Sequence, residues 1–323
     1  MSTVEYPKVA ILGCGKLGQA LLVGLLRSAS AHPGLVKIRE FKVTVRSART
    51  AQLVRERISP LLRDRAVPAV WILQQDQNRN VAEQADIVLF GCKHSSLGEL
   101  VHDLKDMRHD DRRILISLMG GVSPGLIIKA LHFWTGPVVR AVCSVAVAVG
   151  ESITLLSTSD DRTDDAESRH AVTDLFASVG VVKWLPECQM HVASAVGSSS
   201  LAFFAQMIEG LAQGVAEQHS NGNKDGQHLP LETALAITAQ AARGTAALLQ
   251  QLSSPADLVA QVATKGGATA AGLAVLEKEK VVQTLRTCAA ITAEATAALA
   301  PSVGAHGDDN TTERKMSLAD SSR

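Results

Sequence analysis

A short apolar run from Lys8 to Leu12 stops at Gly13, and from Lys16 to Leu26 apolar residues recur at helical spacing. Strand, glycine turn and helix in that order predict the first half of a βαβ unit. Apolar runs then return at Lys42 to Val45, Ile87 to Gly91, Ile114 to Leu118, Val138 to Val142, Ser152 to Leu156 and Val181 to Leu185. Helical stretches at Val81 to Ala85 and Asp164 to Ser178 lie between them, an alternation that predicts a parallel, doubly wound sheet ending near Glu187. Beyond it the strand pattern stops, and Ala-rich helical periodicity runs over Val192 to Gln218, Leu231 to Gln251, Pro255 to Gln261 and Gly267 to Leu299.

The expected fold class is therefore α/β: a Rossmann-type dinucleotide-binding domain over residues 1–187, followed by an all-α domain over 188–300. The polar stretch Ser220 to His228 reads as a surface loop, and the tail 301–323, which lacks apolar periodicity, as disordered. No internal repeat interrupts this plan.

Composition narrows the function. Among 323 residues, 32 basic side chains balance 32 acidic ones and aromatics make up 3%. Neither the charge that draws nucleic acid or anionic membrane nor the stacking platforms of single-strand binders are supplied, so the expected partner is a small molecule. Five cysteines without a CxxC pair, and ten histidines without metal-ligand spacing, predict no disulfide framework and no metal. The N-terminus carries no targeting pattern, and no apolar stretch approaches the roughly 20 residues of a membrane span, so the expected location is cytoplasmic.

Chemistry enters at GCGKLG, Gly13 to Gly18. It satisfies GxGxxG directly after a strand and at the start of a helix: Gly13 for the tight turn, Gly15 for approach of a pyrophosphate, Gly18 for close helix packing. The second strand ends in VRSAR, where Arg46, Ser47 and Arg49 stand in place of the carboxylate that would accept a ribose 2′-OH. A cation and a hydroxyl there favour a 2′-phosphate, hence NADPH over NADH.

Several further segments carry a family resemblance. ADIVLFGCKH (Ala85 to His94), LISLMGGVS (Leu115 to Ser123), VVRAVCSVAVAVGESIT (Val138 to Thr154), LFASVGVVKWLPE (ending at Glu187) and QVATKGGATAAGLAVLE (Gln261 to Glu277) resemble, in order and spacing, segments of pyrroline-5-carboxylate reductases. The resemblance spans about Val9 to Leu299. It implies reduction of the C=N bond of 1-pyrroline-5-carboxylate to give proline, and a homodimer built by the helical domain and able to assemble further. By matching position it places Gly13, Gly15, Lys16, Leu17 and Gly18 at the pyrophosphate and Arg46 and Ser47 at the 2′-phosphate. Asn78 would reach the adenosine side, and Cys92, Lys93 and Gly120 would line the cofactor. Glu187, Thr264, Gly267, Ala268 and Thr269 would hold the substrate, with Thr269 beside the imine nitrogen as catalytic donor. Two segments differ from the family pattern: Val142 to Ala146 stands where MPNTP is expected, and Gly197 to Phe203 where SGSGPAY is.

The residues support part of this independently. KGGAT, Lys265 to Thr269, precedes a helical pattern beginning near Ala270, so its N–H groups and hydroxyls would clamp a carboxylate at a helix N-terminus. A competing reading makes Thr269 only the N-cap of that helix. Three functions remain compatible with the sequence: a pyrroline-5-carboxylate reductase, a reductase of another cyclic imine, and a nucleotide-binding regulator with little catalysis.

Overall fold

The computed structural model describes residues 7–34, 37–159, 166–217, 229–251 and 254–299. The predicted loop at Ser220 to His228 and the tail 301–323 lie outside the described residues. Eight strands form one sheet: β1 (Lys8–Leu12), β2 (Glu40–Val45), β3 (Ala69–Gln74), β4 (Ile87–Phe90), β5 (Ile114–Ser117), β6 (Val138–Val142), β7 (Ser152–Ser157) and β8 (Gly180–Trp184), in the order β3-β2-β1-β4-β5-β6-β7-β8. β1 to β6 are parallel. The expected all-parallel sheet is corrected at its far side: β7 pairs antiparallel with β6 and parallel with β8. Only a short 3-10 turn, Val145–Val149, joins β6 to β7. Such a link is too short for a crossover, so the chain reverses direction.

Alternate strand residues feed two cores, one on each sheet face. Val9 and Ile11 pack with α1 (Lys16–Ala31) and α2 (Ala48–Ile58). Ala10 and Leu12 pack with α3 (Asn78–Glu83), α4 (Leu97–Leu104) and α5 (Pro124–Ala130). α1 is enclosed along most of its length, because Leu21, Leu22, Leu25 and Leu26 are fully buried between the sheet and the 145–149 turn. Burying each such side chain stabilises the fold by roughly 1.5–3 kcal/mol, which anchors the helix whose N-terminus carries the glycine loop. α6 (Ala166–Ala177) lies between β7 and β8 in sequence.

The helical half differs from its prediction in two places. The helix expected over Val192 to Gln218 is three pieces: α7 (Met190–Ser194), a π-helical turn at Ala195–Ser199, and α8 (Ser200–Glu217). The expected helix Gly267 to Leu299 breaks into α11 (Ala268–Lys278) and α12 (Val281–Ala298), because Lys280 adopts φ 53°. Between α8 and α11 in sequence lie α9 (Leu231–Leu249) and α10 (Pro255–Val262), the latter started by Ser254 accepting from Asp257 N and by Pro255. α12 packs back on α7 and the π turn, and α8 on α9. No described helix is long and apolar enough to cross a membrane.

Candidate active site

β1 ends where the sheet order reverses, between β1 and β4, which is the crevice where open α/β sheets bind ligands. Gly13 turns the chain there at φ 73°, and a Cβ on it would stand 2.6 Å from Cβ of Cys92 at the end of β4, so only glycine fits. Gly13 N donates to Thr44 Oγ1 at 3.1 Å and Cys14 N to Thr44 O at 2.7 Å, fastening the loop to β2. α1 then starts at Gly15 with no side-chain cap and no acid in its first turn. The N–H groups of Lys16, Leu17 and Gly18 precede the first helical acceptor and remain available to an anion, with the positive end of the helix dipole behind them. These residues fit a dinucleotide pyrophosphate.

Arg46 and Ser47 follow β2, both exposed. Ser47 caps α2, accepting from Thr50 N at 3.2 Å, and Arg49 lies exposed in its first turn. Arg46 donates through Nη2 to Ser96 Oγ at 3.0 Å and lies 3.5 Å from Glu99 Oε2, so its guanidinium leans toward the start of α4. Cys92 is half-buried, with its thiol pushed up to about 11 chiefly by burial, while Lys93 and Gly120 are exposed at the ends of β4 and β5.

Asn78 is placed differently from its expectation. It is buried, and its amide is spent within the protein: Oδ1 accepts from Thr44 Oγ1 at 2.6 Å and Nδ2 donates to Asp103 Oδ2 at 2.8 Å. Thr44 therefore links the glycine loop to α3 and, through Asn78, to α4. The sequence reading missed Thr44, because a β-branched residue inside a strand carries no sign of which groups its hydroxyl will meet.

Across the sheet one register row joins Leu12, Phe90, Ser117, Arg140 and Ser157. From Leu12, which leads into the glycine loop, to Arg140 is three strand spacings, roughly 14 Å. At that end Glu187 accepts from Arg140 Nη1 at 2.5 Å and from Ser157 Oγ at 2.5 Å. The unusual segments meet nearby. Ser144 caps the 145–149 turn and its N–H donates to Ser152 Oγ at 3.1 Å, while Ser198 Oγ of the π turn donates to Cys143 O at 3.3 Å.

The start of α11 holds the other expected substrate residues. Gly267, not Thr269, is its N-cap, and no side chain caps the helix. The cap reading of Thr269 is therefore corrected: the helix begins two residues earlier, leaving Thr269 exposed in the first turn. A Cβ on Gly267 would meet Thr264 Oγ1 at 2.5 Å, so the Thr264 hydroxyl lies over the helix start, where Gly267 N also donates to Thr264 O at 3.0 Å. α11 packs on α12 and α10 on α9. The fold thus gathers Thr264, Gly267, Ala268 and Thr269 at one helix end, and Glu187 at another place, with Arg140 of β6 inside the sheet.

With this geometry in place, comparison with known proteins decides the family. The chain is 88% identical over 319 residues to a pyrroline-5-carboxylate reductase of Penicillium fellutanum, covering 99% of both chains. The chain belongs to the pyrroline-5-carboxylate reductase family. A family member from Neurospora crassa is 31% identical, covering 84% of this chain and 86% of its own. Residues 187–299 match the model for the pyrroline-5-carboxylate reductase dimerisation domain, and 8–121 that for coenzyme F420-dependent NADP oxidoreductases. The fold is shared with the Plasmodium falciparum pyrroline carboxylate reductase solved with NADP bound (TM-score 0.72, 20% identity, 93% of this chain and 100% of that one). It is shared equally with the Coxiella burnetii family member (TM-score 0.72, 22% identity, 92% and 100%).

Proposed function

We propose that the chain reduces 1-pyrroline-5-carboxylate to proline with NADPH. The observation that carries this reading is the α1 N-terminus, free of cap and acid, standing beside the cationic end of β2 in a chain whose close relative bears the name of that activity. Residues up to 187 hold the dinucleotide: the N–H groups of residues 16–18 on the pyrophosphate, Arg46, Ser47 and Arg49 around the 2′-phosphate, and Cys92, Lys93 and Gly120 past the ends of β4 and β5. Asn78 contributes by bracing Thr44 beneath the loop. When bound, the reduced nicotinamide supplies a hydride to the imine carbon, and the ring nitrogen ends with a proton.

The protein's part is orientation and exclusion of water, since an iminium needs little further activation. The Gly267 N–H donates to Thr264 O, and the free N–H groups of Ala268 and Thr269 in the first turn clamp the substrate carboxylate, with Thr264 beside them. The ring N–H of the iminium donates to Glu187, and the Thr269 hydroxyl donates to the lone pair that the nitrogen gains as hydride reaches the carbon. Because α11 lies against α12 and leaves its start exposed, a second copy of the chain brings that helix end over Glu187, making the working unit a homodimer. Rescue of a proline auxotroph tests this, with cofactor oxidation measured in parallel on pyrroline-5-carboxylate and on the six-membered cyclic imine. Growth without proline and faster turnover of the five-membered imine are expected. Faster turnover of the larger ring would reassign the substrate, and no turnover of either would leave a nucleotide-binding regulator.

A further inference from the structure

Arg140 is the largest fully buried side chain, in the middle of the sheet. Its guanidinium spends Nη1 on Glu187, while Nε and Nη2 find no hydrogen-bond partner among the described residues. An ion pair built only for stability is completed by further hydrogen bonds, because an incompletely paired buried charge opposes folding. Here the partner is not buried with it: the Glu187 side chain remains 22% exposed. Both Glu187 oxygens are nonetheless engaged, Oε1 by Arg140 and Oε2 by Ser157 Oγ, and Ser157 is itself fully buried. Two donors from the fixed sheet set the plane of a carboxylate that has about four lone-pair sites, leaving about two for something else.

The place adds to the case. Glu187 opens the 3-10 turn Glu187–Gln189, where the chain passes from β8 to α7. The helix that follows loosens into the π turn at Ala195–Ser199, a distortion frequent at functional sites. Gly197 of that turn lies against Leu155 and Ile153, which share the face of β7 that carries Ser157. Arg140 and Ser157 also lie in the register row that runs from Leu12 at the glycine loop.

We propose that Arg140 and Ser157 are positioning residues for imine reduction, holding the Glu187 carboxylate in one orientation so that its remaining lone pairs meet the ring N–H of the substrate. The inference rests on the reading of Glu187 as a substrate contact given above. A free Glu side chain at a domain junction would sample several rotamers, and fixing it beforehand removes an ordering cost from substrate binding.

Steady-state kinetics of Glu187→Gln, Ser157→Ala, Ser157→Thr, Arg140→Lys and the double variant Ser157→Ala/Glu187→Gln test this in the full-length protein, with thermal midpoints measured alongside. Glu187→Gln should raise KM for pyrroline-5-carboxylate at least tenfold and leave KM for NADPH within twofold. Ser157→Ala should raise the imine KM at least threefold, Ser157→Thr should restore it, and Arg140→Lys, which keeps charge but loses the fork, should resemble Glu187→Gln. The double variant should be no worse than Glu187→Gln alone, because Ser157 acts through Glu187. If Arg140→Lys does not fold, the Ser157 pair decides. Parent-like imine kinetics in Glu187→Gln would overturn the reading of Glu187 on which the inference rests. An impaired Glu187→Gln beside a parent-like Ser157→Ala, or a Ser157→Ala that lowers only the thermal midpoint, would overturn the positioning role alone.

Discussion

Arg46 is held by Ser96 and Glu99, and in the proposed function the same guanidinium meets the 2′-phosphate of the cofactor. Replacing Arg46 by Glu removes the phosphate's partner and adds a like charge, so the ratio of kcat/KM for NADPH over NADH should fall at least tenfold, about 1.4 kcal/mol. An unchanged ratio would remove Arg46 from cofactor choice. Glu99 should act in the opposite sense, since Glu99→Gln frees the guanidinium and raises the same ratio. For Thr269 the exposed, uncapping position separates chemistry from stability: Thr269→Val should keep the parent thermal midpoint and NADPH affinity while kcat falls by roughly 10²-fold. Turnover at the parent rate would exclude the hydroxyl from the reaction. The thiols offer a check on burial. Cys14 and Cys143, both pushed up to about 12 by burial, stay protonated and inert, whereas Cys188 is exposed. A thiol reagent at pH 8 should therefore label Cys188 in the folded protein and reach Cys14 and Cys143 only after denaturation.

At the scale of elements, legibility followed how strongly each segment's own pattern spoke. β1, α1, β4, β5 and β6 are dense apolar runs with a glycine turn or a polar boundary, and their positions could be read directly. α2 and β3 were missed for a physical reason. α2 buries only Ala51, Val54 and Ile58 beneath a charged exterior, and β3 is an edge strand whose Trp71 is 55% exposed, so neither shows a continuous apolar signal. The break between α11 and α12 was hidden because the left-handed position is filled by Lys280 where glycine would have marked it. That break makes a prediction: Lys280→Gly relieves the strain of a side chain at positive φ and should stabilise the protein by about 0.5–1 kcal/mol, read as a higher chemical-denaturation midpoint. A loss of stability would mean that the two helices do not break there. Within the site, the glycine loop and Arg46 were legible as motifs, whereas Thr44, Ser157 and the pairing of buried Arg140 with Glu187 depend on strand register and become visible only in three dimensions.

For the whole molecule, the contrast between its halves decides the assembly. The sheet half buries two full cores, yet α10, α11 and α12 have no buried residue, and Phe204, Leu211, Ile237, Val259 and Ile291 are all more than 45% exposed. Apolar surface on that scale, spread over several helices, marks an interaction face, and the dimerisation model covers the same residues. Light scattering at micromolar concentration should give at least twice the 34.1 kDa chain mass, and a value of one chain mass would contradict it. The central claim, hydride transfer to a cyclic imine, is tested most directly by isotope. Incubating the protein with pyrroline-5-carboxylate and NADPH carrying two deuterons at nicotinamide C4 should yield proline with one deuterium at C5 for each NADP⁺ formed. Oxidation of the cofactor without deuterated proline, or no oxidation at all, would contradict the account.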